Sequence, residues 1–175
     1  MSKLKTIFMG TPDFAVDTLR AVHEKGHEIA LVVTQPDKPK GRSGKLQMSD
    51  VKQYAIEQGL PVFQPERVKT PDSVAKIREY KPELIVVAAF GQILSKEILG
   101  LPEHGCINVH ASLLPRLRGA SPIQTAILEG DDKTGVTIQQ MGEGLDTGDI
   151  ISQRSIPIEA DDTGGSLFDK LAKLG

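Results

Sequence analysis

The segment Glu83-Leu-Ile-Val-Val-Ala-Ala-Phe90 is the most apolar run of the chain and constrains its fold more than any other. A run of this length with so few polar side chains reads as a strand covered on both faces. Such strands lie at the centre of mostly parallel sheets with helices on either side. The rest of the chain agrees. Apolar runs of strand length at 4–9, 29–33, 61–63, 106–110, 135–141 and 150–158 alternate with helix-like segments. The helical segments follow Thr11 and span 49–58, 71–80, 95–99, 122–129 and 166–174. This alternation predicts βαβ units and an α/β fold, a mostly parallel sheet flanked by helices. Thr11 is placed as the cap of the first helix, with Pro12 as its first residue, and Gly26 as its stop. Ser121 is read as the cap of the helix at 122–129, and 35–45 as a long polar loop.

The chain has 175 residues, enough for one α/β domain with a full core. Its net charge of −2 provides no global basic field, so any contact with nucleic acid has to be local. Aromatic residues make up 4% with no Trp, which argues against stacking platforms for single strands. The single cysteine, Cys106, excludes an intramolecular disulfide and a multi-cysteine metal site, and fits a reducing compartment. No apolar stretch approaches the roughly 20 residues a membrane span needs, and the N-terminal run is too short for a signal sequence. A cytoplasmic chain without membrane attachment is expected.

Ligand sites in open parallel sheets lie beyond the carboxyl ends of the strands. Thr11 and Asp13, the Phe90-Gly91-Gln92 turn, Asn108 with His110, and Asp146 all fall at such ends. Asn108 and His110 are two apart on one strand and so point to one side. Asp146 lies in the glycine-rich Gly142-Glu-Gly-Leu-Asp-Thr-Gly148. An amide, an imidazole and a carboxylate suit acyl transfer: two donors for a tetrahedral oxyanion, and a base to manage protons. Taken singly, the same residues read as a structural strand pair and a turn aspartate. The first turn, Gly10-Thr-Pro-Asp13, lacks the G-x-G-x-x-G glycines, which disfavours a dinucleotide. No P-loop and no G-x-S-x-G is present. Cys106 reads as a small buried hydrophobe. His23 and His27 make a poor metal pair across Gly26, and no metal is expected.

The segment 36–45 carries Lys38, Lys40, Arg42 and Lys45 against one acid, Asp37. It reads either as a solvated loop or as a phosphate-contacting patch. Arg116 and Arg118 are open between a nucleic-acid contact, capping and a carboxylate partner.

Two longer stretches are more specific. Asn108-Val-His-Ala-Ser-Leu-Leu-Pro115, continuing Arg116-Leu-Arg118-Gly-Ala-Ser-Pro-Ile123, resembles the signature of the folate-dependent formyltransferases. Gly135-Val-Thr-Ile-Gln-Gln-Met141 to Gly144-Leu-Asp-Thr-Gly-Asp149 resembles that family's catalytic aspartate loop. Phe8-Met-Gly-Thr-Pro-Asp-Phe-Ala15 and Thr34-Gln-Pro-Asp-Lys-Pro-Lys-Gly-Arg42 are similar to the branch whose acceptor is initiator methionyl-tRNA. The resemblance covers essentially the whole chain. Leu117 departs from the aromatic residue often found there, a change of packing rather than chemistry.

The resemblance implies a Rossmann-like formyltransferase fold, with Asn108, His110 and Asp146 as the catalytic set. It implies 10-formyltetrahydrofolate as co-substrate, held by Phe90, Gly91 and Gln92, by Ser112, Leu113, Leu114 and Pro115, and by Met141, Gly142, Glu143, Gly144 and Leu145. Asp146 would hold His110 and, through water, take the amine proton. Lys38, Lys40, Arg42 and Lys45 would meet tRNA, with Arg42 foremost. The chain would be the catalytic domain, residues 1–175, of a longer protein whose C-terminal tRNA-binding β-barrel it lacks, and would act as a monomer. The competing readings are formyl transfer to an amino sugar nucleotide, to glycinamide ribonucleotide or to water, and a non-catalytic binding module. The basic segment speaks against a small acceptor, and the intact trio against the module.

Overall fold

Alternating side chains of the strands feed two separate cores, one on each face of a single sheet. The computed structural model describes residues 3–40 and 44–175. In chain order the elements are β1 (Lys5–Gly10), α1 (Asp13–Glu24), β2 (Glu28–Val33), β3 (Lys38–Lys40), β4 (Lys45–Gln47), α2 (Asp50–Glu57) and β5 (Val62–Phe63). There follow α3 (Pro71–Glu79), β6 (Leu84–Ala88), α4 (Lys96–Leu99), β7 (Cys106–His110), α5 (Pro122–Leu128), β8 (Lys133–Gln140), β9 (Ile150–Pro157) and α6 (Gly164–Leu174). The seven-stranded sheet has the order β5-β2-β1-β6-β7-β8-β9. The five strands from β5 to β7 are parallel, and β8 and β9 join antiparallel.

The Glu83–Phe90 run supplies β6, the middle strand, as its composition requires. Val86 and Ala88 face the core shared with Phe8, Phe14, Leu19 and Leu171; Ile85 and Val87 face the core shared with Ile7, Met9, Ile77 and Ile98. Helices α1, α2, α5 and α6 contribute to the first core, and α3 and α4 to the second. Strand β9, at the edge, is mostly exposed, which suits its mixed polar sequence.

Several helices carry side-chain caps. Ser49 accepts from Lys52 N at 3.1 Å, and Thr163 with Ser166 forms a reciprocal capping box for α6. Three expectations need correction. Thr11 is not a cap: α1 is preceded by Pro12 with no side-chain cap bond, and the Thr11 hydroxyl donates instead to the Phe90 carbonyl at 2.9 Å. Ser121 makes no side-chain cap bond either; its backbone sits in the left-handed region (φ 64), not the extended conformation typical of a cap. The loop at 35–45 contains a small hairpin, β3 with β4, pairing Lys38 with Gln47 and Lys40 with Lys45. Three-residue polar strands carry too little alternation to be read from sequence. No described helix is long and apolar enough to cross a membrane.

Candidate active site

The carboxyl ends of β6 and β7 and the loop between β8 and β9 enclose a cavity of about 630 Å³. Its first wall is the turn after β6. Ala89 (φ 44) and Gly91 (φ 81) both take left-handed backbone there, so the chain reverses sharply and Phe90 returns to the core. The turn is tied from outside. The Phe90 carbonyl accepts from the Thr11 hydroxyl and from Gln35 Nε2 at 3.3 Å, and the Gly91 carbonyl accepts from Gln35 Nε2 at 3.1 Å. Gln92 anchors the far side, accepting from Val68 N at 2.7 Å and donating to the Pro65 carbonyl. Exposed Ile93 (78%) and Leu145 (66%) both line the cavity.

The second wall is the end of β7. Asn108 and His110 both line the cavity, as their spacing of two requires. His110 Nε2 donates to the Leu117 carbonyl at 2.9 Å, because a carbonyl can only accept. That leaves Nδ1 as the nitrogen that gains and loses a proton. It stands 3.7 Å from Asp146 Oδ2, with the two side chains 9% and 11% exposed.

The third wall is the loop 141–149. Gly148 makes its closure possible: a Cβ there would lie 1.5 Å from the Gln140 carbonyl oxygen. Asp146 sits at φ 49, and its carboxylate is surrounded by donors. Oδ2 accepts from Gly119 N at 2.8 Å; Oδ1 accepts from Gln139 Nε2 at 3.0 Å and from Asn108 Nδ2 at 3.5 Å. Met141, Gly142, Glu143, Gly144 and Leu145 all line the cavity, and Glu143 pairs with Lys96 at 2.9 Å.

Asn108, His110 and Asp146 therefore converge, as do the two backbone segments at 90–92 and 141–145. Ser112, Leu113, Leu114 and Pro115 are not part of the lining. The Ser112 hydroxyl donates to the Arg116 carbonyl at 2.7 Å, and the Thr137 hydroxyl bridges Ser112 O and Leu114 N. These bonds hold the bend that delivers the Leu117 carbonyl to His110 and the Gly119 amide to Asp146.

Gln139 and Gly119 were missed. Gln139 faces Asn108 across the β7–β8 ladder, and the buried polar pair Thr137 and Gln139 on one strand was its only signal.

Of the basic segment, Lys38 is exposed on β3, and Lys40 and Lys45 lie on the paired strands. Arg42 lies outside the described residues. Asp37 points back to the body of the protein, with Lys52 Nζ and Gln64 Nε2 each at 2.7 Å, and those bonds hold its carboxyl below the usual range. Arg116 pairs with Glu129 and Asp131, the carboxylate alternative among its readings. Cys106 is 1% exposed, and burial pushes its thiol up to about 12, so it packs as a hydrophobe. His27 Nδ1 accepts from Leu4 N at 3.2 Å, a structural bond. Among the described residues no group of three or more His, Cys, Asp or Glu could hold a metal ion.

Chemically, the cavity presents an amide, a protonatable Nδ1 and a fixed carboxylate around one space. That combination can stabilise a negative oxygen and accept a proton in acyl transfer.

The family model described as "Formyl transferase" matches residues 3–175. The chain is 55% identical over 172 residues to a methionyl-tRNA formyltransferase of Agathobacter rectalis, covering 98% of this chain and 56% of that protein. It is 55% identical over 175 residues to one of Geobacter metallireducens, covering 100% of this chain and 56% of that protein. It thus spans about half the length of these curated relatives. Among solved structures, the phosphoribosylglycinamide formyltransferase from Bacillus halodurans superposes with a TM-score of 0.79 at 26% identity, over 95% of this chain and 87% of that one. A formyltetrahydrofolate deformylase from Pseudomonas syringae shares the fold, with a TM-score of 0.78 at 21% identity, over 99% of this chain and 57% of that one.

Proposed function

The chain belongs to the formyl transferase family, and from that premise we propose that it carries the catalytic site for formylating initiator methionyl-tRNA from 10-formyltetrahydrofolate. The acceptor rests on one observation: relatives that are 55% identical across nearly the whole chain are methionyl-tRNA formyltransferases. Formylation of that tRNA serves translation initiation, and the cytoplasm is the compartment this reading assigns.

The cavity suits a folate. Its volume of about 630 Å³ falls in the range of small-molecule sites. Its walls at 90–92 and 141–145 offer backbone groups that can match the hydrogen-bonding edge of a pterin. The methionyl amine bonds to the formyl carbon as the bond from that carbon to the folate nitrogen breaks, and that nitrogen leaves with a proton as tetrahydrofolate. Asn108 Nδ2 and the protonated Nδ1 of His110 donate to the formyl oxygen as it becomes negative. Asp146 keeps Oδ2 turned toward Nδ1 and takes the proton that the amine loses, through an intervening water, for return to the departing folate nitrogen. Nε2, bound to Leu117, keeps the ring from turning. Lys38, which is exposed, is read as a contact to the acceptor stem, together with Lys40, Arg42 and Lys45 of the same segment.

The deciding experiment compares formyl transfer from 10-formyltetrahydrofolate to charged initiator tRNA and to glycinamide ribonucleotide. It uses this chain and a version extended to the length of its relatives. The expected result is transfer to tRNA by the extended chain, weaker by this one. Preferential transfer to the small acceptor, or none to either, overturns the reading.

A further inference from the structure

The Asp146 carboxylate can serve His110 only if Oδ2 is turned toward Nδ1, and a side chain in a surface loop does not hold such an angle by itself. The loop 142–145 preceding it is exposed, and Asp146 sits in the left-handed region. The restraint comes from β8. Gln139 is 1% exposed, and its Nε2 donates to Asp146 Oδ1 at 3.0 Å. The other strand-borne donor, Asn108 Nδ2, is longer at 3.5 Å.

Gln139 also carries a cost. Its Oε1 is buried with no hydrogen-bond partner among the described residues, one of two such side-chain atoms. A buried acceptor without a donor destabilises the fold, and an apolar residue would avoid that. The amide cannot be turned to relieve it, because Oε1 would then face the carboxylate.

We propose that Gln139 is a positioning residue. From a rigid strand it clamps Oδ1 of Asp146, while Gly119 N clamps Oδ2, so the carboxylate plane stays aimed at His110. Gln139 touches no substrate. The inference rests on the function proposed above for its kinetic readout, and a second readout is independent of that function. The Gly119 amide donates to Asp146 Oδ2 at 2.8 Å, so its hydrogen exchange reports on the carboxylate's placement in substrate-free protein.

The test uses Gln139→Leu, which keeps bulk and removes the donor, and Gln139→Glu, which keeps shape and sets an acceptor against Asp146. In each folded variant kcat falls about 10- to 100-fold, both KM values stay within about twofold, and Gly119 exchange quickens about tenfold. Wild-type kcat with Gly119 still protected overturns the proposal. So does a rise in KM with kcat unmoved, which would place Gln139 in substrate binding. If the wild-type protein transfers no formyl group to methionyl-tRNA, the function reading fails instead, and Gly119 exchange alone decides the role of Gln139.

Discussion

Asp146 shows how one side chain's role depends on the direction of its two oxygens. Oδ1 is held by amides from β7 and β8, and Oδ2 is held by the Gly119 amide and faces Nδ1 of His110. In the proposed reaction Asn108 and His110 are the donors. Removing one preorganised oxyanion donor costs about 2.7–4 kcal/mol, roughly 10²–10³ in kcat. Asn108→Ala and His110→Ala are each expected to lose at least that much in single-turnover formyl transfer. A variant within about threefold of wild type would remove its residue from the oxyanion site. The spacing of two on a strand showed that Asn108 and His110 share a side; that Asp146 joins them came from the family resemblance, because spacing alone leaves it equally a turn residue. Gln139 was not legible in sequence: a glutamine on a strand reads as a solvent-facing residue until its neighbour across the ladder is known.

Among the elements, the turn after β6 is held by groups from two other segments. Thr11, at the end of β1, and Gln35, at the root of the β3–β4 hairpin, both bond the Phe90–Gly91 carbonyls. Gln35→Ala removes two hydrogen bonds worth about 1 kcal/mol each, less what water restores. The expected outcome is a rise of about 5- to 10-fold in the KM for the formyl donor with a smaller change in kcat. A change confined to the tRNA KM would assign Gln35 to the hairpin alone. Thr11 illustrates why sequence misplaced it. A threonine before a helix has a local use as a cap, and the competing carbonyl of Phe90 is 79 residues away. The same holds for Ser121, whose left-handed backbone is imposed by the bend that places Gly119.

For the molecule as a whole, the sheet separates two cores, and α6 closes the one that backs onto the active-site cavity. Leu167 and Leu171 are fully buried there, and Phe168 packs edge-on against Phe14 at 5.5 Å, both lining the cavity. Leu171→Ala is expected to cost about 2–5 kcal/mol and to lower Tm by several degrees in thermal unfolding. A loss under about 1 kcal/mol would mean that α6 packs only loosely. The α/β class, the central place of Glu83–Phe90, most element positions and the shared side of Asn108 and His110 follow from sequence alone. Periodicity and apolar run length act over a few residues and survive without knowledge of partners. The antiparallel entry of β8 and β9, the hairpin at the basic segment and the clamp on Asp146 do not. The carboxylate of Asp146 draws on distant partners, Gly119 across 27 positions and Asn108 across 38, and the hairpin joins nearby polar strands too short to show a pattern. Folding, not local preference, sets which of several available partners each polar group meets.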